Sequence, residues 1–359
     1  MRFGLTVAPV LPILETTRYA QEAEAAGFET IWLSPSAVWF KDSIVYLARM
    51  ASQTTKIGLG LMATTPYERH AITLAGEMAT LNEMSAGRAL LSVGTGVGPK
   101  VRTLGFDTSK PFSALKETID VVRQLSSSRQ PVTYDGKFAK VNRLMFPRAK
   151  QFPVYMAGSS YKSLRMSGEV GNGSMLAHFP PEYAKWAGEE MWDAAAKAGR
   201  DRKDVELLVQ VMTAINDDKE EALAIAKEVK LDPTRPKAVS FYLGPAFWAS
   251  KETRALERCG FAPEEIDVLM KERDYFVKLE QGAVDDSRLS SIIPPAFEDK
   301  ICETLALVGD SEDCIKKLKA YEAAGVSEIL FGFWGRESKH EATMNAIHKF
   351  RDEIIPQFN

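Results

Sequence analysis

The residues able to do chemistry are few, and most stand at the ends of short apolar runs. Gly158-Ser159-Ser160 precedes a helical stretch, Tyr161–Glu169. Backbone N–H groups and hydroxyls at a helix N-terminus make a phosphate site, and the same residues serve equally as a plain N-cap. The run "LLSVGTGVGP" (Leu90–Pro99) breaks into Gly94, Gly96 and Gly98. Its spacing is GxGxG, whereas a dinucleotide-binding turn needs GxGxxG with a helix opening at the third glycine. Here the next good helical pattern waits until about Phe112. The reading is a glycine loop that leaves room for a cofactor. His178, at a strand-to-loop transition, is either a proton donor or a structural histidine. Arg69-His70 opens a helix, where the dipole disfavours a cation, so Arg69 needs a specific partner or open solvent. Trp39, Trp248, Phe333 and Trp334 either pack or cover a flat ligand. These positions are poor in paired carboxylates and contain no HExxH, GxSxG or phosphate-loop lysine. Acid–base hydrolysis and metal-assisted chemistry therefore have little to stand on, and a cofactor that brings its own reactivity fits better.

The elements that must position these residues repeat. "EAAGFETIWL" (Glu24–Leu33) and "EAAGVSEILF" (Glu322–Phe331) each end an alanine-rich helix, stop at a glycine and start a short apolar run. Gly27 and Gly325 stand where a helix end needs positive φ. The runs after them are too short for helices and too continuously apolar for a sheet with one wet face, so they predict parallel strands covered on both sides. The same punctuation places Ala89–Val93 and Ser174–Ala177; with Thr30–Leu33, Glu328–Phe333 and the further apolar runs Phe3–Val7, Lys56–Met62, Pro153–Ala157 and Leu207–Thr213, the strands number eight. Amphipathic helices follow them, with Ala20, Ala23 and Ala26 marking one inner face and Ile72, Ala75 and Ala79 another. Eight right-handed βα units predict a (β/α)8 TIM barrel rather than an open doubly wound sheet. Two segments interrupt the repeat. Residues 131–147 alternate around Asp135-Gly136 and predict a hairpin insertion. Residues 232–295 predict a helical insertion between strands seven and eight. The whole chain, 1–359, then forms one domain whose chemistry gathers at the strand C-termini.

Composition narrows the class further. The chain carries a net charge of −3 and shows no long block of like charge. It therefore lacks the footprint of a nucleic-acid or anionic-membrane binder. Cys259, Cys302 and Cys314 are odd in number and widely spaced, which argues against zinc or a disulfide framework and for a reducing cytoplasm. The opening stretch has one basic residue and reaches Glu15 quickly, so it does not read as a signal peptide, and no apolar run approaches the roughly 20 residues of a membrane span.

The segment "ATTPYERHAITLAGEMATLNEMSAGRALLSVGTG" (Ala63–Gly96) resembles the signature region of the bacterial luciferase-like flavin monooxygenase superfamily. Supporting pieces are "MRFGL", "AEAAGFETIWLS", "PVYMAGSS", "SGEVGNGSML" and "SEILFGF". Within the superfamily the chain looks most like methylenetetrahydromethanopterin reductase and its deazaflavin-dependent relatives. The resemblance implies a flavin or deazaflavin at the barrel mouth. It also implies a non-proline cis peptide near Met62-Ala63 that bulges behind the ring, with Thr64 beside it. The cofactor phosphate would lie against Gly158, Ser159 and Ser160, with Ala157 also binding the cofactor and the tail along Gly94, Gly96 and Gly98. A homodimer through helices near strands two and three is implied as well. The chain departs from the family in two places. Thr6 stands where deazaflavin reductases often have an acid, and Ser34-Pro35-Ser36 replaces an Asp-His pair. His178 is then the remaining proton donor, and the pterin substrate does not carry over. Three readings follow: an oxidoreductase using coenzyme F-420 to pass hydride to or from a small organic substrate, a monooxygenase using FMN, and a non-catalytic flavin-binding protein.

Overall fold

Each short apolar run between a glycine stop and a polar loop becomes a strand, because a covered parallel strand needs apolar side chains on both faces. The computed structural model describes residues 1–35, 40–96, 101, 105–227, 242–246, 249, 254–270, 295–333 and 340–358. The strands are β1 (Arg2–Val7), β2 (Thr30–Leu33), β3 (Gly58–Thr64), β4 (Ala89–Gly94), β5 (Val132–Asp135), β6 (Lys140–Leu144), β7 (Val154–Ala157), β8 (Gly173–Ala177), β9 (Glu206–Ile215), β10 (Leu307–Gly309) and β11 (Glu328–Phe333). Parallel pairing runs β9–β11–β1–β2–β3–β4–β7–β8, and β8 pairs back onto β9. Eight strands thus close into a (β/α)8 barrel; an open doubly wound sheet would leave two edges.

Helices α1 (Ile13–Ala26), α2 (Ser43–Ala51), α3 (Ala71–Met84), α4 (Pro111–Ser127), α5 (Tyr161–Val170) and α6 (Pro181–Lys197) follow the first six barrel strands in turn. Glycine ends the repeating units where the sequence places it: φ is +90° at Gly27 and +84° at Gly325. Ala20, Ala23 and Ala26 are buried on α1 as expected. On α3 the buried line is Ala71, Leu74, Ala75, Met78 and Leu81, while Ile72 and Ala79 are half-buried. The apolar stripe is rotated because Met78 and Leu81 carry more area to bury than Ala79.

Two further differences from expectation stand out. β10 is a ninth parallel strand, three residues long, seated on the overhang Thr213–Ile215 of β9 outside the ring. No cis peptide bond occurs among the described residues. The register between β3 and β4 instead shifts between Leu61 and Thr64, so an irregularity of trans residues forms the bulge at Met62-Ala63. An extra residue in one strand bends a ladder by itself. As expected for residues 131–147, β5 and β6 form an antiparallel hairpin, pinned to α4 by Glu117, whose carboxylate accepts from the backbone N–H groups of Lys137, Phe138 and Ala139. Most of residues 232–295 lie outside the described residues; the described part includes the short helix Ala255–Arg258. No helix among the described residues is long and apolar enough to cross a membrane.

Candidate functional site at the barrel mouth

Alternation along each strand sends one set of side chains to the helix layer and the other into the barrel. The interior set is Trp32, Met62, Tyr155, Met175, Leu208 and Leu330, with Ala63 and Leu90 at its edge. Above it, at the strand C-termini, the inward residues are small. Gly94 pairs with Ala157, and Ala177 pairs with Gln210. Ala63, Ala157, Ala177 and Gln210 are half-buried in strands that are otherwise mostly buried, so solvent reaches the barrel there. The result is a shallow, mostly apolar cradle.

The glycines of the fourth loop have tighter reasons than room for a ligand. A Cβ on Gly94 would lie 3.0 Å from the Ala157 carbonyl oxygen. Gly96 has φ of +73°, and a Cβ there would lie 2.8 Å from both Thr65 Cγ2 and Val101 Cγ2. Strand β4 and its loop can approach their own neighbours only as glycine. Gly98 lies outside the described residues, as do Ser36, Trp39, Trp248 and Trp334.

Beside the cradle, β7 runs into α5 through Gly158, Ser159 and Ser160. Ser160 is the N-cap, its Oγ accepting from Ser163 N–H at 3.2 Å. The Ser159 carbonyl accepts from the Tyr183 hydroxyl at 2.6 Å, and Gly158 N–H donates to the Met175 carbonyl at 3.3 Å. The turn is therefore tied to α5, α6 and β8, and it leads into the first N–H groups of α5. Such groups have no partner within their own helix and favour an anion. The phosphate-site and N-cap readings are compatible, since Ser160 caps one N–H and leaves the others. Thr64, by contrast, registers with Val93, which packs in the outer core; its side chain is turned from the cradle.

Thr6 stands where the family's usual acid is missing, and His178 is the residue left as a proton donor. Thr6 Oγ1 donates to the Phe331 carbonyl at 3.2 Å and accepts from Gln210 Nε2 at 3.4 Å. It is used up in fastening β1, β9 and β11 together. His178 follows β8 with φ of +59° and is 1% exposed. Left-handed backbone at a residue with a Cβ costs about 1–2 kcal/mol, so packing must hold it there. His178 N–H donates to the Gln210 carbonyl at 2.9 Å, and its ring meets Tyr242 edge-on with centroids 5.8 Å apart. Burial pushes the imidazole down to about 3.

At neutral pH His178 is uncharged, so its work is to join β8, β9 and the segment bearing Tyr242. Between pH 6.5 and 3 the unfolded chain binds a proton that the folded one refuses, so stability falls as pH drops through that window. His178→Gln should flatten this acid limb of thermal stability and leave the shape of any pH–rate profile between 5 and 8 unchanged. Melting curves and kcat/KM against pH read both; a lost step near pH 6.5 in the variant would return His178 to acid–base duty.

Arg69 finds its partner. Its guanidinium pairs with Asp42 at 2.6 Å and Glu77 at 3.2 Å, and its side chain is 13% exposed. His70 caps α3, Nδ1 accepting from Ile72 N–H. Beside them lies a cavity of about 450 Å³ lined by Pro35, Asp42, Glu68, Arg69 and His70 among others. It adjoins the ends of β2 and β3 on the same face as the cradle. Phe333 packs against Phe331 and Phe350. Among the described residues no group of three or more His, Cys, Asp or Glu is arranged to hold a metal.

Sequence reading missed Gln210 and Ser92. Ser92 is fully buried, pairs in register with the inward Tyr155, and its hydroxyl has no hydrogen-bond partner among the described residues. The available signal was a single polar residue inside an apolar strand run, "LLVQVM" and "LLSVG".

A closed parallel barrel with an apolar cradle at its strand C-termini, flanked by an open helix N-terminus, defines a cofactor-binding barrel of the TIM type. The family model described as luciferase-like monooxygenase matches residues 1–328, and the chain belongs to that family. It is similar to 5,10-methylenetetrahydromethanopterin reductase of Methanolobus tindarius, with 28% identity over 337 residues, covering 92% of this chain and 94% of the relative. The coenzyme F420-dependent tetrahydromethanopterin reductase of Methanopyrus kandleri shares its fold with a TM-score of 0.78 at 24% identity, covering 100% of this chain and 99% of that one. An F420-dependent secondary alcohol dehydrogenase superposes with a TM-score of 0.74 at 17% identity, covering 98% of each chain.

Proposed function

We propose that the protein is an oxidoreductase that uses coenzyme F420 to pass hydride to or from a small organic substrate at the barrel mouth. The observation that carries this reading is the cradle itself. Small side chains at Gly94, Ala157 and Ala177 leave a flat apolar floor, and the N-terminus of α5 stands beside it to take a phosphate. Similarity to reductases over nearly the whole chain supports it. The deazaflavin, when bound, supplies the hydride-carrying ring. Gly158, Ser159, Ser160 and the α5 N–H groups would hold its phosphate, and Met62-Ala63 would back the ring. The chain's own contribution is then orientation and exclusion of water, since hydride transfer depends chiefly on placing two carbons against each other. Substrate would enter over the polar cavity beside Arg69, which adjoins the mouth. We also propose a homodimer through the faces near β2 and β3, where Leu14 of α1 and Val45 of α2 are 61% and 60% exposed.

Titration of the protein with F420 and, separately, with FMN, followed by quenching of ligand fluorescence, tests the reading. Micromolar binding of F420 is expected. Binding of FMN alone would overturn it in favour of the monooxygenase reading, and F420 binding without turnover of any alcohol, aldehyde or imine substrate would favour a non-catalytic binder.

A further inference from the structure

A closed circuit of polar groups crosses the barrel interior below the mouth. Arg2 donates to Glu206 at 2.7 Å and to Glu328 at 3.3 Å. The Tyr155 hydroxyl donates to the second oxygen of Glu206 at 2.6 Å. The Thr30 hydroxyl donates to the second oxygen of Glu328 and accepts from Trp32 Nε1, the latter at 2.9 Å. The ring of Trp32 meets Tyr155 edge-on, centroids 5.9 Å apart, and the circuit is complete. Its members come from β1, β2, β7, β9 and β11, and Trp32, Tyr155, Glu328 and Thr30 are all buried.

Stability alone does not account for this arrangement. A well-packed apolar core would serve as well or better than buried ions, whose desolvation offsets much of their attraction. Burial pushes the Glu328 carboxyl up to about 7 against the pull of Thr30 and Arg2. What the circuit does fix is orientation. An indole in an apolar barrel has several staggered rotamers, and the bond from Nε1 to Thr30 selects one. In that rotamer the ring lies across Gly60, where a Cβ would come within 2.1 Å of it. Trp32 shares its apolar cluster with Met62. Met62 stands in the stretch where the β3–β4 register shifts, the bulge at the rim of the cradle.

We infer that Thr30 and Trp32 are positioning residues: the buried circuit locks the indole, and the indole sets Met62 and the strand-three bulge against which the cofactor ring rests. The last step depends on the cofactor reading above; the link from Thr30 through Trp32 to Met62 does not.

Methionine-methyl NMR on the full-length protein tests it, with the Met62 signal assigned through Met62→Leu. Thr30→Val keeps the shape and removes the hydroxyl; Thr30→Ser keeps the hydroxyl. The expected result is a displaced Met62 methyl signal in Thr30→Val and a restored one in Thr30→Ser. F420 affinity should fall about tenfold and return to within about twofold, respectively. Trp32→Phe removes the same bond from the donor side and stands in should Thr30→Val not fold. A Met62 signal that superimposes on wild type in these variants overturns the inference, including the case where only the melting temperature falls. If wild type itself binds no F420, the cofactor reading fails, while the Met62 comparison still decides this one.

Discussion

Valine at position 158 should abolish cofactor binding while the barrel stays folded. A Cβ on Gly158 would stand 2.6 Å from Ser163 Oγ and 2.8 Å from Ser163 Cβ. Ser163 sits in the first turn of α5, its hydroxyl 2.9 Å from that of Ser160. Two branched methyls must therefore push the first turn away from the β7–α5 junction, and the N–H groups that would hold phosphate lose their aim. The expected loss in F420 affinity is about a hundredfold or more, roughly 3 kcal/mol. Ser159→Asp reaches the same result by charge. An acid at a helix N-terminus leaves the helix as stable or slightly more so, yet it repels a phosphate. Fluorescence titration beside a melting curve reads both variants. Unchanged affinity in the two would place the phosphate elsewhere.

Gly60→Ala should be strongly destabilising for a single-methyl change in the barrel interior. Its Cβ would lie 2.1 Å from Trp32 Cδ2 and Cε3, atoms of a rigid ring held by the Thr30 bond and by Tyr155. Neither ring nor strand can yield cheaply, so the cost is expected near the top of the overpacking range, about 3 kcal/mol. Gly58→Ala is the natural control. There the nearest atom is Leu90 Cδ1 at 3.0 Å, the tip of a side chain that can turn aside. The comparison of chemical denaturation midpoints should therefore separate the two alanines clearly. Pairing Gly60→Ala with Trp32→Leu should recover much of the loss, because the sites are in contact and their effects do not add. Equal midpoints for the two single variants would show that the indole is not locked.

Much of the fold was legible because its signals are local. Gly27 and Gly325 mark helix ends through a backbone angle that no other residue takes freely, and all eight barrel strands lie on the apolar runs read from the sequence. Their boundaries moved by a residue or two: β3 extends to Thr64, and β9 spans Glu206–Ile215. Candidate site residues were legible only in part. Gly158–Ser160 stand at a helix N-terminus as read, whereas Thr64 turns toward the outer core and His178 is sealed inside. Local pattern says that a residue ends a strand; it does not say which neighbours cover it.

The sequence by itself determined the units: where each strand and helix begins, which glycine stops it, and that the repeat belongs to a barrel of the luciferase-like kind. Only the tertiary structure decided closure and partnership. The pairing of Arg2 with Glu328, of Arg69 with Asp42 and Glu77, and of Thr30 with Trp32 and Glu328 depends on which strands meet around the ring. So does the bulge at Met62-Ala63, made without the expected cis bond. Periodicity records how a residue relates to its near neighbours in the chain. Burial, ion pairing and the titration of His178 and Glu328 depend on groups up to hundreds of residues away, and closing the barrel is what brings them together.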